Sequence, residues 1–297
     1  SPITVITGEV GAGKTTLVKC VTGIIPATSG AAELFGRDSF HLTDAHKRRL
    51  SLVMGQRSQL WWDLPPLDSF RLLKEIYSIP DADYAERLGY FARLLAVEEQ
   101  LAIQLRRLSL GQRMKMEIIG AFLHAPEVVF LDEPTIGLDL VSRETIRRFL
   151  VRINRERGAT IVLTSHDMED IEENCERLVI LDEGRVLYDG DLVSLLHRVV
   201  EERSIEVHLA PGSRAWDAEL ERELEPFGAR LAKSAPRSLT FSVASGRSRD
   251  FIRRVFELFE VRDLSIERQP LENLIREVFR TRSMSRDGAR GDGGGER

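Results

Sequence analysis

The run Gly8-Glu9-Val10-Gly11-Ala12-Gly13-Lys14-Thr15-Thr16 satisfies the spacing G-x-x-x-x-G-K-[ST]. Its glycines let the backbone curl so that successive N–H groups point inward and cradle phosphate oxygens. A helix opening near Gly13 adds its positive N-terminal end. In such a loop Lys14 reaches the β- and γ-phosphates, and the Thr15 hydroxyl binds Mg2+. Ordinary residue usage produces the match by accident in about one chain in a hundred of this length. Here a β-branched run precedes it and helical periodicity follows, the context the motif requires. The loop marks a nucleotide site.

A second group of residues could act on that nucleotide. Val128-Val129-Phe130-Leu131 runs directly into Asp132-Glu133, so a buried strand would deliver two carboxylates at its C-terminal edge. Adjacent strand residues point in opposite directions, which predicts different roles for the two acids. Asp132 suits the Mg2+ shell, and Glu133 is placed to polarise an attacking water. A further strand, Thr160 to Thr164, ends at Ser165-His166-Asp167. A histidine in that position has weight only beside the loop and the acids.

Those side chains need a sheet to hold them. Ile3 to Thr7 reads as a strand covered on both faces, as in a parallel sheet. Helical spacing follows from Lys14 to about Cys20, and Ala32 to Phe35 and Leu50 to Met54 read as strands. From 57 to about 125 the chain turns to charged amphipathic helices, with apolar positions such as Leu72, Leu73, Ile76, Leu88, Phe91, Leu94 and Leu95. Strand runs then return and alternate with helices, a βαβ pattern with a parallel sheet. Leu178 to Leu181 and Arg185 to Tyr188 flank Asp182-Glu183-Gly184, a hairpin signal.

After about Arg203 the texture changes. Strand runs at Ser204 to Leu209, Arg230 to Lys233, Leu239 to Val243 and Val261 to Glu267 alternate with helices at Ala215 to Pro226 and Ser248 to Phe259. The order β-α-β-β-α-β predicts a ferredoxin-like domain over 204–280, closed by a helix from Leu271 to Arg280. Residues 281–297, rich in Gly, Arg and Asp, are expected to be disordered. The predicted fold is therefore α/β over 1–203, a phosphate-loop NTPase with a parallel core sheet and a helical subdomain at 57–125. A small α+β domain follows it.

Composition narrows the function classes. Of 297 residues 42% are apolar and 30% charged, which excludes collagen-like and wholly disordered chains. A net charge of −5 argues against binding nucleic acid through a strongly basic surface, and no nucleic-acid partner is expected. No apolar run approaches the roughly 18–20 residues that span a bilayer. Two cysteines, Cys20 and Cys175, lie far apart and suggest neither a disulfide framework nor a zinc site. His208 and the acidic stretch Glu219 to Glu225 read as solvated surface.

One more motif carries a family resemblance. Leu108-Ser109-Leu110-Gly111-Gln112 resembles the LSGGQ signature of the nucleotide-binding subunits of ATP-binding-cassette (ABC) transporters, with Leu110 in place of the first glycine. It leads into a helix for which Ser109 is an apt N-cap. Ser109 with the N–H groups of Gly111 and Gln112 would make an anion site. The remaining landmarks occur in the family's order, over about Ile3 to Leu196. Gln56 matches the Q-loop glutamine that contacts Mg2+ and water. Gly137-Leu138-Asp139 matches the D-loop, with Asp139 near nucleotide, and His166 matches the switch histidine at the γ-phosphate. Asp132 and Glu133 match the Mg2+-binding acid and the catalytic base.

The resemblance implies ATP and Mg2+ as cofactors, with Thr15, Gln56 and Asp132 around the metal. It implies a second cassette subunit, identical or similar, whose Ser109 region closes over the ATP of the first. Gln56 through Ser69, DEPTIGLDLVS and the stretch from Thr164 to Gly190 look like cassettes that serve an ABC-2 type permease, mostly exporters. The chain would then sit at the cytoplasmic face of the membrane through that permease. Trp61-Trp62, just after the Q-loop, suits either an interface anchor or core packing. A soluble ABC ATPase outside transport and a nucleotide-sensing regulatory module are the alternative readings. Family members also carry a strand segment and an adenine-stacking aromatic ahead of the phosphate loop. The seven residues before Gly8 hold neither, so the chain looks truncated at its N-terminus and is expected to bind ATP weakly.

Overall fold

A computed structural model describes residues 3–55, 58–199, 202–214, 216–268 and Ile275. Gln56, the expected helix from Leu271 to Arg280 and the tail 281–297 lie outside the described residues, Ile275 apart. Two compact units divide at Gly190 and Asp191, ahead of the change of texture near Arg203.

The first unit is built in chain order from β1 (Ile3–Gly8), α1 (Lys14–Val21), β2 (Glu33–Leu34), β3 (Arg37–Asp38), α2 (Asp44–Lys47) and β4 (Leu50–Met54). Then come α3 (Pro66–Tyr77), α4 (Asp81–Leu95), α5 (Leu110–Phe122), β5 (Val128–Asp132), α6 (Leu140–Arg157), β6 (Thr160–Thr164), α7 (Met168–Asn174), β7 (Arg177–Asp182) and β8 (Arg185–Asp191). Among the described residues, six strands form one sheet in the order β4-β5-β6-β1-β7-β8. The pairs β4–β5, β5–β6, β6–β1 and β1–β7 are parallel. Parallel pairing explains the unbroken apolar runs: Val129, Phe130 and Leu131 are all buried because both sheet faces are covered. Ala32 to Phe35 yields only the short β2, which turns back onto β3 because Phe35 and Gly36 both adopt positive φ. The hairpin at Asp182-Glu183-Gly184 forms as expected, with Glu183 at φ 44° and Gly184 at φ 73°, both positive as in a two-residue turn.

α3, α4 and α5 form the helical part. α4 starts at two early acids, Asp81 and Asp83, which suit a helix N-terminus, and stops where Ala96 turns left-handed at φ 52°. Its buried face meets α5 and α6 through Phe91, Phe122 and Phe149. Phe149 stands edge-on to both partners, each at 5.5 Å between ring centres. Such rings dominate core energetics, and each would cost about 3–5 kcal/mol if cut to alanine.

The second unit contains α8 (Leu192–Val199), β9 (Glu202–Leu209), α9 (Ala218–Leu224), β10 (Arg230–Ala235), β11 (Ser238–Ala244), α10 (Ser248–Leu258) and β12 (Val261–Arg268). Its described sheet runs β10-β11-β9-β12, with all neighbours antiparallel. Placing the first strand beside both the third and the fourth is the ferredoxin-like arrangement. Alternation does the sorting. Ile205, Val207, Leu239, Phe241 and Val243 face Leu220, Leu224, Phe251 and Val255 of the two helices. The intervening Glu206 and His208 stay partly exposed, their side chains 3.6 Å apart. β9 starts at Glu202, and Arg203 already pairs with Val243 and Arg268, so a boundary at Arg203 falls inside a strand.

Candidate nucleotide site

The phosphate loop joins the end of β1 to the start of α1. Gly8 sits so close to β7 that a Cβ there would run into the Leu181 carbonyl oxygen. Gly13 occupies the N-cap of α1 at φ 100°, and no side chain caps that helix end. The helix therefore presents its first N–H groups and its positive end to whatever the loop holds. Lys14, 9% exposed, lies across the loop and donates from Nζ to the carbonyl oxygens of Gly8 at 2.8 Å and Glu9 at 3.2 Å. Glu9 and Val10 are exposed, Ala12 is buried in the core against Ile6 and Val18, and Thr16 starts the solvent side of α1.

Strand register brings the acids to this loop. Asp132 pairs with Thr164 on β6, which itself pairs with Ile6 on β1. The Thr15 hydroxyl donates to Asp132 Oδ2 at 2.9 Å, and the Thr164 hydroxyl donates to Asp132 Oδ1 at 2.7 Å. Thr15 and Asp132 thus form an adjacent hydroxyl–carboxylate pair, a donor set that fits Mg2+, which takes few protein ligands and fills its shell with phosphate and water. No cluster of three or more His, Cys, Asp or Glu suited to a metal occurs among the described residues.

Glu133 differs from the expectation in how it separates from Asp132. Strand alternation is not the cause, because β5 ends at Asp132 and Glu133 turns left-handed at φ 54°. Its N–H donates to the Thr164 hydroxyl at 2.9 Å and to the Thr164 carbonyl at 3.2 Å, which holds the turn. A non-glycine residue in that conformation is costly, and such costs gather at functional sites. The turn places Glu133 Oε2 2.9 Å from His166 Nδ1 and Glu133 Oε1 3.9 Å from Lys14 Nζ. His166 is more than half exposed and the Glu133 side chain 20% exposed, so the carboxylate faces an open site between an ammonium and an imidazole.

The signature residues occupy a different place. Ser109 caps α5, with its Oγ accepting from Gln112 N at 3.2 Å while Gln112 Oε1 accepts from Ser109 N at 3.0 Å. This reciprocal box engages the Gln112 N–H, one of the groups expected to face an anion. The helix begins at Leu110, directly after that cap. Gly111 is buried against the start of α6, where a Cβ would collide with Ser142. Asp139 caps α6 by accepting from Ser142 N at 2.9 Å, and its hydrogen bonds with Ser142 hold its carboxyl below the usual range. Burial lowers the pKa of nearby Lys115 on α5, and the Asp139 charge works against that shift. Among the described residues no hydrogen bond or ion pair joins Ser109, Gly111, Gln112 or Asp139 to the phosphate loop. Loop, acids and histidine come together, and the signature stands apart.

Comparison with known proteins points to one family. Residues 1–136 match the ABC transporter family. Those residues resemble the ATP-binding domain of ABC transporters. ABC ATP-binding proteins are ATPases, and in this chain Glu133 and His166 meet beside the phosphate loop. The chain is 27% identical over 190 residues to the ABC transporter ATP-binding protein NatA of Bacillus subtilis, covering 64% of this chain and 77% of that protein. It is 28% identical over 196 residues to the methionine import ATP-binding protein MetN 2 of Enterococcus faecalis, covering 65% of this chain and 57% of that protein. The chain thus spans little more than half of that second relative. A solved structure of an ATP-binding subunit of an ABC transporter is similar with a TM-score of 0.59 and 28% identity, over 66% of this chain and 81% of that one.

Four further residues packed at this candidate site carry no mark in the sequence. Thr164 bridges Asp132 and Glu133, while Thr135, Ser165 and Asp170 share one buried cluster beside them. Each is a single common residue type without a spacing that marks it.

Proposed function

We propose that this chain is the ATP-hydrolysing subunit of a transporter whose membrane part is a separate ABC-2 type permease, and that it drives export. The observation that carries the reading is the Glu133 carboxylate set between Lys14 and His166 at the mouth of the phosphate loop. In the proposed reaction the loop N–H groups, Lys14 and the α1 N-terminus hold the triphosphate. A bound Mg2+, held by Thr15, Asp132 and Gln56, would supply charge neutralisation at the phosphates. Glu133 accepts the proton of the attacking water, His166 fixes Glu133 and the γ-phosphate relative to each other, and ADP with inorganic phosphate leaves.

Two chains are proposed to sandwich two ATP molecules, each between one phosphate loop and the Ser109 end of the partner's α5. The exposed N-terminal end of α5 and its separation from the loop in its own chain favour that arrangement. Hydrolysis then opens the dimer and moves the permease. Trp61 and Trp62, 44% and 48% exposed with Leu64 nearby, supply the apolar anchor for the permease. A second reading, import, is favoured by the name of the Enterococcus relative.

The test pairs the chain with its permease in vesicles and measures phosphate release and the direction of substrate movement. The proposal expects permease-stimulated hydrolysis that Trp61→Ala with Trp62→Ala removes while basal hydrolysis persists, and movement out of the cytoplasm-equivalent side. Hydrolysis indifferent to the permease would overturn the transport reading, and movement in the other direction would establish import.

A further inference from the structure

Asp170, on α7, is 1% exposed and lies behind the reacting groups rather than among them. Its Oδ2 accepts from the Thr135 hydroxyl at 2.5 Å and from the Ser165 hydroxyl at 2.7 Å. Its Oδ1 accepts from Arg147 Nε on α6 at 2.6 Å, and Arg147 is itself 3% exposed. Thr135 lies two residues after Glu133, and Ser165 directly precedes His166. One carboxylate oxygen therefore ties together the two loops whose side chains meet in the Glu133–His166 hydrogen bond.

Other contacts stiffen the same junction. Ser165 Oγ also accepts from Asp167 N at 3.0 Å, and Asp167 Oδ2 accepts from Arg143 at 2.5 Å. Arg147 reaches Glu169 at 3.0 Å and Glu173 at 3.5 Å on the outer side of α7. The Ser165 N–H donates to the Ile6 carbonyl of β1, so the histidine loop is pinned to the strand that carries the phosphate loop. Burying a charged pair is poor value as a stability device, since the cost of removing both ions from water offsets much of their attraction. Such a pair is better suited to holding a geometry, and here the geometry it holds is that of two reacting loops.

We propose that the buried Arg147–Asp170 pair is a positioning clamp that sets the Glu133–His166 distance for hydrolysis, acting through the Thr135 and Ser165 hydroxyls. The inference rests on Glu133 and His166 as the reacting pair, and the test separates the two. Asp170→Asn and Arg147→Met leave a buried charge alone and can unfold the chain, so the informative variants are Ser165→Ala and Thr135→Val, which keep the ion pair.

Steady-state ATP hydrolysis of the full chain is measured for wild type, Ser165→Ala, Thr135→Val, Thr135→Ser and Glu133→Gln, with thermal melting in parallel. The clamp predicts that Ser165→Ala and Thr135→Val lower kcat about tenfold or more each, with KM for ATP within about twofold, as loss of one hydrogen bond to a charged group does. Thr135→Ser restores kcat because the hydroxyl returns. Glu169→Gln and Glu173→Gln, on the exposed side of Arg147, leave kcat within about twofold. Unchanged kcat in both hydroxyl variants, with Glu133→Gln inactive, overturns the clamp and keeps the reacting pair. Loss of kcat and rise of KM in step with melting temperature also overturns it, because the cluster is then only structural. Full activity of Glu133→Gln overturns the reading beneath it.

Discussion

Thr164→Val removes one hydroxyl and keeps the shape of the side chain. In the structure that hydroxyl donates to Asp132 Oδ1 at 2.7 Å and accepts from Glu133 N at 2.9 Å, at a residue with 0% exposure. A hydrogen bond to an ionised carboxylate is worth roughly 1.5–3 kcal/mol net, and an under-satisfied buried N–H adds about 1 kcal/mol. The second figure stays at the low end because Glu133 N keeps the Thr164 carbonyl at 3.2 Å. The ATPase unit should therefore lose about 2–4 kcal/mol in Thr164→Val. Thr164→Ser keeps the hydroxyl and deletes one buried methyl, a cost of about 1 kcal/mol. Urea unfolding at pH 7 measures both, and the midpoint should fall further for valine than for serine at equal slope. ATP turnover should follow the hydroxyl in the same order, since Asp132 and the Glu133 turn both lose their shared support. A valine variant as stable and as active as the serine variant would refute the bridging role.

Two further predictions concern the frame. His124 stacks on Tyr77 with ring centres 3.9 Å apart, and burial, the largest cause, pushes its pKa down to about 4. The unfolded chain takes up that proton first, so this contribution is complete above pH 6.5 and is lost as pH falls through 6.5 toward 4. By pH 5 the loss should reach about 2 kcal/mol, and His124→Phe should flatten the dependence in chemical unfolding run at pH 7 and pH 5. Gly111→Ala gains helix propensity but drives a Cβ into Ser142, and overpacking of that kind should outweigh the gain by about 1–2 kcal/mol. Thermal melting checks it, and Ser142→Gly in the same chain should recover part of the loss.

What could be read from the residues follows a physical pattern. The phosphate loop is contiguous, so its chemistry is written in one run, and β5 and β6 announce themselves as apolar runs ending in polar residues. The β-α-β-β-α-β order led directly to the observed sheet, because alternation along β9 and β11 leaves one face for α9 and α10. The turn at Glu133 was not legible, since its left-handed backbone is imposed by Thr164 on a neighbouring strand. Asp170, Thr135 and Ser165 were hidden for the same reason: three elements bring them together. At Ser109 the cap was foreseen and the reciprocal bond from Gln112 was not, although the spacing S-x-x-Q is the sequence signature of such a box.

The central claim is that Glu133 activates water at a nucleotide held by the phosphate loop. Phosphate release and ATP binding by Glu133→Gln, set beside wild type, test it most directly. Glutamine keeps the size of the side chain and cannot take the proton, so nucleotide should still bind while turnover falls about a hundredfold or more. Hydrolysis by Glu133→Gln at the wild-type rate would contradict the account.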